Sequence, residues 1–272
     1  RPWLDTAMVG GGRIYTTWNQ TKAIKGNGSV GTRTGRLSST PNFQNIPKEF
    51  GVIFSDTIPP PFSDIPPLPK VRGYIVPFKG ECFIDRDYSQ QEPRILAHFE
   101  DGSLQYAYNE TPWLDMHDSA RDELAEVGLF YNRKQVKNTN LGLIYGMGIT
   151  KLAEKNDMEF EEAKQLKNSV LSLYPGLRDM YRSMKTRAKI GQPIRTWGGR
   201  EYYCEPPEVM PDGKVWEKDY KMVNVLIQGS AADCTKEAII RYHAVKHPQA
   251  SIVLNVHDQI TVSVPTQDRK SV

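Results

Sequence analysis

The chain has 272 residues and a formal net charge of +3, with 39% hydrophobic and 25% charged residues. That is enough for one large or two modest globular domains, and no apolar run is long enough to span a membrane. So small a charge gives no argument for nucleic-acid binding by itself, although it leaves room for a local basic face. Cys82, Cys204 and Cys234 are far apart, odd in number and fit no metal spacing, so a reduced, intracellular protein with buried thiols is expected. The N-terminus, Arg1-Pro2-Trp3-Leu4-Asp5, does not read as a signal peptide and lacks an initiating Met; a fragment or a processed chain is expected.

Residues 1–35 are rich in Gly and Thr and hold one strand-like run, Arg13 to Asn19. A flexible basic segment is expected from Lys22 to Arg33. From Thr34 to Pro47 the chain is dense in hydrogen-bonding side chains and has little periodicity. This is a polar surface loop or, more sharply, one whose Arg36, Asn42, Gln44 and Asn45 touch a nucleic-acid backbone or minor-groove edges. Residues 56–69 are proline-rich and predict a stiff surface excursion, with a peptide ligand for another domain as the alternative. Tyr74-Ile75-Val76 predicts one strand, and the run from Glu81 to Tyr88 a second, ending in acids. A helix should follow, with Ser89 as N-cap, Glu92 completing a capping box and Pro93 in the first turn.

Residues 103–200 read as mainly helical, with helices over Asp115 to Val127, Glu161 to Leu173 and Gly176 to Lys189. Gly198-Gly199-Arg200 makes a tight turn between Ile194–Trp197 and Glu201–Tyr203. Residues 219–245 predict one long helix with Val223, Leu226, Ile227, Ala231 and Ile239 inward. Ile252 to Val264 reads as two strands joined at His257-Asp258.

Two constellations carry chemistry. On a helix from Arg133, broken by Gly146-Met147-Gly148, Arg133, Lys137, Leu141 and Tyr145 fall at i, i+4 steps and form one ridge. At ~1.5 Å per residue it spans roughly 18 Å. That suits one extended nucleotide, with triphosphate on the cations and the helix N-terminus, and sugar and base towards Leu141 and Tyr145. A solvated amphipathic helix gives the same pattern. Asp87 ends one predicted strand and Asp258 lies in a hairpin turn. If the strands are neighbours, two carboxylates meet at one sheet edge, where Mg²⁺ can share its coordination with phosphate oxygens and two ions can serve in-line phosphoryl transfer. Two unrelated surface acids are the alternative.

These stretches resemble, in order, the motifs of the family A DNA polymerases, the DNA polymerase I family. Asp87-Tyr88-Ser89-Gln90-Gln91-Glu92-Pro93-Arg94 resembles motif A. Arg133, Lys137, Tyr145 and Gly146 fall as in motif B, and Val256-His257-Asp258 is similar to motif C. Thr34 to Ser39 followed by Pro41 to Pro47 resembles the family's DNA-contacting segment. The resemblance implies an α+β polymerase right hand: a palm, with an antiparallel sheet and helices, and a helical fingers subdomain, the thumb missing or reduced. Residues 1–35 would be an N-terminal segment or thumb/palm remnant. Residues 36–100 would be the first palm part with an insertion at 56–69, 101–200 the fingers and 201–272 the second palm part.

The resemblance also implies roles. Asp87, Asp258 and the Tyr88 carbonyl would hold two Mg²⁺ ions, with Mn²⁺ as a substitute. Arg133, Lys137 and His117 would touch the phosphates, and Lys137 would also protonate the leaving pyrophosphate. Glu92 would exclude a 2′-hydroxyl; Gln90, Leu141 and Tyr145 would complete the dNTP site, with Tyr145 stacking at the templating position. Arg36, Asn42, Gln44, Asn45, Asn224, Gln228 and His257 would contact primer-template DNA. A thumb or exonuclease region, or a processivity factor, would lie outside this chain. The implied activity is DNA synthesis in replication or repair, in the cytoplasm of a bacterial or phage-infected cell with no membrane contact. A single-subunit RNA polymerase and a non-catalytic DNA-binding piece are the alternatives.

Gln259 stands where the family usually has Glu, Leu141 where it has Phe or Tyr, and Gln91 and Pro93 where apolar residues commonly flank Glu92. Leu141 implies discrimination against dideoxynucleotides. The departures lean towards a bacteriophage source.

Overall fold

The computed structural model describes residues 12–25, 28–46 and 71–270. The proline-rich stretch at 56–69 and Pro47 lie outside the described residues. The chain begins with four short strands, β1 (Thr17–Asn19), β2 (Ala23–Lys25), β3 (Gly28–Val30) and β4 (Ser38–Thr40). β1 pairs antiparallel with β4, and β2 with β3. The basic segment expected to be flexible therefore contains a hairpin, and only the end of the Arg13 to Asn19 run becomes strand.

The strand expected at Tyr74-Ile75-Val76 does not form. Val71–Tyr74 is a 3₁₀ turn, and the Ile75 N–H closes back on the Arg72 carbonyl at 3.1 Å. Pro77 then removes a donor that a ladder would need. β5 (Glu81–Asp87) follows as expected.

Next come α1 (Gln91–Glu100), α2 (Ser103–Glu110), α3 (Met116–Glu126), α4 (Arg133–Ile144), α5 (Ile149–Asn156), α6 (Phe160–Leu173) and α7 (Pro175–Lys189). Two small hairpins, β6 (Ile194–Arg195) with β7 (Glu201–Tyr202) and β8 (Glu208–Val209) with β9 (Val215–Trp216), precede α8 (Tyr220–Val245). β10 (Ser251–Val256) and β11 (Gln259–Pro265) close the described chain.

α1 does not begin on a Ser89 capping box. Its N-cap is Gln90, in the left-handed region at φ 53°, with no side-chain cap. Gln90 instead donates from Nε2 to the Leu114 carbonyl at 2.8 Å and accepts from the Tyr108 hydroxyl and Met116 N–H, each at 3.1 Å. The break after α4 is as expected, but a further helix, α5, follows it. Gly146 sits at φ +65°, and a Cβ there would lie 2.9 Å from the Tyr220 ring, so both conformation and packing require glycine.

The residues form two compact units: Arg1–Thr32, Arg36–Asp87 and Ala238–Val272 in one, and Arg33–Gly35 with Tyr88–Glu237 in the other. In the first, β11 is central in the order β10-β11-β5, all antiparallel. Ile260, Val262 and Val264 bury one face against Ala238, Ile239 and Tyr242 of α8. In the second, α1 to α4, α6, α7 and the first turns of α8 share a core that includes Leu96, Leu124, Val136, Ile144, Leu166, Leu177 and Ile227. Burying each such side chain stabilises by about 1.5–3 kcal/mol. Val223, Leu226 and Ile227 face this core as expected, and Ala231 is buried. Ile239 belongs to the first unit and packs on its sheet instead. No helix among the described residues is long and apolar enough to cross a membrane, and the three cysteines are half-buried and unpaired.

Candidate active site

The sheet brings the two acids together. β5 pairs with β11 along its whole length, with Asp87 opposite Gln259, Asp85 opposite Thr261 and Glu81 opposite Pro265. Asp258 occupies the turn between β10 and β11, one residue before Gln259. Both carboxylates therefore stand at the same end of one sheet. Alternation puts Cys82 and Ile84 on the core face and Glu81, Asp85 and Asp87 on the other. On that face the Thr261 hydroxyl donates to Asp85 at 2.6 Å and the Ser263 hydroxyl to Glu81 at 2.5 Å. Asp87 is exposed and Asp258 half-exposed.

The turn is held by a residue the sequence did not single out. Asn255 is buried, and its Nδ2 donates to the His257 carbonyl at 3.2 Å and the Gln259 carbonyl at 3.0 Å. His257 takes φ +59° at the first turn position and is exposed. Gln44 is also buried. Its Nε2 donates to the carbonyls of Leu37 and Asn255, each at 3.1 Å, tying the polar loop to the hairpin. Asn42 Oδ1 accepts from the N–H groups of Gln44 and Asn45. Asn42 and Asn45 are exposed and Arg36 half-buried.

The two carboxylates supply hard oxygen donors at that sheet end. No cluster of three or more His, Cys, Asp or Glu exists among the described residues to form an all-protein cage. Carboxylate oxygens are the donor type that suits Mg²⁺, which keeps waters and takes phosphate oxygens alongside one or two carboxylates.

The ridge lies in the second unit. Asn132 caps α4: its side chain accepts from Gln135 N–H at 2.9 Å, and Gln135 Oε1 accepts from Asn132 N–H at 3.0 Å. Arg133 and Lys137 are exposed, Leu141 and Tyr145 half-buried, while Val136, Asn140 and Leu143 face inward. Tyr145 ends the helix, its N–H still bonded to the Leu141 carbonyl at 3.0 Å. Its hydroxyl donates to Glu92 Oε2 at 2.6 Å, so the ridge and α1 meet at Glu92.

Arg133 is held by two acids absent from the expected set. It donates to Asp115 Oδ2 at 2.7 Å and to Asp118 Oδ2 at 3.1 Å. Burial pushes the Asp115 carboxyl up, but hydrogen bonds from the N–H groups of His117 and Asp118 and from Arg133 outweigh it and hold it below the usual range. His117 is buried in α3, with Nδ1 3.1 Å from Asn140 Nδ2. Burial lowers its pKa. Arg133 and Lys137 act in the same direction, and Asp115 and Asp118 against it.

Asn224 and Gln228 lie on α8, half-buried, with Asn224 Oδ1 buried and without a hydrogen bond. Just beyond them Asp233 accepts from the Thr196 hydroxyl at 2.6 Å and Arg200 Nε at 2.7 Å, and Arg200 donates onward to the Thr34 carbonyl at 3.1 Å. This network anchors Thr34, and sequence periodicity gave no sign of it. The Asn132–Gln135 spacing of a capping box was the one overlooked signal readable in advance.

The sequence profile of DNA polymerase family A matches residues 4–272. The chain is 32% identical over 238 residues to DNA polymerase theta of Caenorhabditis elegans, covering 86% of this chain and 13% of that protein. It is 31% identical over 275 residues to DNA polymerase I of Caldicellulosiruptor bescii, covering 98% of this chain and 29% of that protein. A solved structure, the POL domain of Pol1 from M. smegmatis in complex with DNA primer-template and dNTP, superposes over 99% of this chain and 45% of its own, with TM-score 0.73 and 27% identity. The chain thus spans less than a third of the length of these two curated relatives. A match this nearly end to end, on a chain with paired acids at one sheet end and a cationic ridge on a capped helix, makes it a member of DNA polymerase family A.

Proposed function

We propose that this chain carries the catalytic part of a template-directed DNA polymerase, which joins deoxynucleotides from dNTPs to a primer 3′-hydroxyl and releases pyrophosphate in replication or repair. The observation that carries the reading is the register setting Asp87 opposite Gln259, with Asp258 in the adjoining turn. Asp87, Asp258 and the Tyr88 carbonyl would hold two Mg²⁺ ions, or Mn²⁺ in their place. Bound there, the metal supplies charge stabilisation for the attacking and leaving oxygens.

The remaining roles belong to side chains. Arg133 and Lys137 grip the triphosphate, and Lys137 gives a proton to the leaving pyrophosphate. His117 also meets the phosphates. Glu92, fixed by the Tyr145 hydroxyl, stands against the sugar and selects deoxynucleotides. Leu141 and Gln90 complete the nucleotide site, Gln90 by bracing the approach to α3. Arg36, Asn42, Asn45, Asn224, Gln228 and His257 meet the minor-groove side of primer-template DNA, where acceptors are nearly sequence-independent, with Gln44 fixing their loop. In this reading residues 36–100 and 201–272 form the palm and 101–200 the fingers. The M. smegmatis relative solved with primer-template and dNTP supports these partners.

Primer extension with Mg²⁺ tests the proposal, comparing the chain with Asp258→Asn and supplying dNTPs or NTPs in separate reactions. Extension with dNTPs that disappears in the folded variant is expected. Equal extension by both proteins would falsify it, and preference for NTPs would move the reading to RNA synthesis.

A further inference from the structure

Asn140 makes a contact that constrains the chemistry of His117. The Asn140 side chain is fully buried, and its Nδ2 lies 3.1 Å from His117 Nδ1. With the amide in this orientation its nitrogen donates and Nδ1 accepts. The ring is then neutral, with its proton on Nε2. On the same amide, Oδ1 is buried and makes no hydrogen bond. This acceptor beside the ring is thus idle. Rotating the amide by 180° exchanges the two atoms and places Oδ1 on Nδ1, an arrangement that requires a proton on Nδ1. The buried amide has two positions: one needs Nδ1 bare, and the other needs a proton on Nδ1, from the neutral Nδ1–H ring or from the imidazolium.

The charges around the ring select between them. Asp115 and Asp118, from α3 and its cap, favour an imidazolium; Arg133 and Lys137, from α4, oppose it. Arg133 is ion-paired to both acids, which blunts their pull on the ring. Burial adds to the preference for the neutral form. A polyanion on the α4 cations reverses that balance.

Resting on the reading of the ridge as a triphosphate site, we infer that Asn140 is a positioning residue: it holds His117 neutral in the free protein and turns to accept from an imidazolium when a nucleoside triphosphate binds. The proton comes from solvent and adds to Nδ1, with no other bond changed. His117 then presents Nε2–H to the phosphates as a charge-assisted donor, stronger than its neutral form.

Two measurements test this near pH 7.5, above the ordinary histidine pKa of about 6.5. Ring ¹⁵N shifts report where the proton sits. Calorimetry with a non-hydrolysable deoxynucleoside triphosphate, repeated in buffers of different ionisation enthalpy, counts protons taken up. The free protein is expected to show His117 neutral with Nδ1 bare, and binding to take up close to one proton at His117. His117→Gln should bind with no uptake. Asn140→Asp offers only acceptors, so its ring should already be charged in the free protein and its uptake should vanish. Asn140→Leu should lower uptake by leaving the imidazolium without an acceptor. A merely structural Asn140 would change melting temperature in these variants without moving ring protonation. A protonated Nδ1 in the free protein, or binding without uptake, overturns the inference alone. No triphosphate binding at all overturns the proposed function with it.

Discussion

Asn255 donates from one amide nitrogen to two carbonyls across the turn that presents Asp258. Removing its side chain takes that donor from the His257 and Gln259 carbonyls, at about 0.5–1.5 kcal/mol for each hydrogen bond lost. Asn255→Ala should therefore lower stability by that order, measured by thermal or urea unfolding. Because the loosened turn carries Asp258, primer extension should fall further than the melting temperature alone explains. A variant that melts early yet extends primers normally at a temperature where it is folded would separate the turn from catalysis. That Asp87 and Asp258 share one sheet end was only a conditional expectation from the strand pattern, and it was the resemblance to motifs A and C, not their placement, that singled them out. Asn255 and Asn140 were not singled out. A buried amide within a strand or helix has the same composition as an exposed one, and only long-range packing tells which carbonyl or ring it meets.

At the scale of elements, period and capping were informative wherever one face is buried throughout. α3, α4, α6, α7 and α8 follow the apolar spacing, and the β10–β11 hairpin follows its alternation. The failures have local causes. The strand expected near Tyr74 loses to a 3₁₀ closure at Ile75, and the cap expected at Ser89 loses to Gln90, whose side chain is engaged by the segment ahead of α3. α4 shows what a cap does for a site. The Asn132–Gln135 box satisfies two N–H groups at the start of the helix, directly before Arg133. Asn132→Ala should cost about 1 kcal/mol in stability. It should also fray the turn bearing Arg133 and weaken nucleotide binding, raising the KM for dNTP more than it lowers kcat. Steady-state primer extension checks this split, and an unchanged KM with reduced kcat would place the effect away from the phosphates.

Over the whole chain, charge argues for a light electrostatic hold on DNA. The net charge is +3, and many cations are paired with acids, among them Arg121, Arg133, Arg195, Arg200, Lys214, Lys218 and Lys221. Of the residues proposed to meet the duplex, Arg36 alone carries a permanent positive charge; the others are amides and His257. Each phosphate neutralised contributes roughly −0.9 to the slope of log K against log salt. The expected slope is therefore close to −1, a weakening of roughly three- to fourfold between about 50 and 200 mM salt. Fluorescence anisotropy with a labelled primer-template measures it directly, and Arg36→Gln should flatten it. A slope steeper than about −3 would require several phosphate contacts. The duplex would then lie on lysines and arginines outside the proposed set, and the polar loop that Gln44 fixes in place would lose its assigned role.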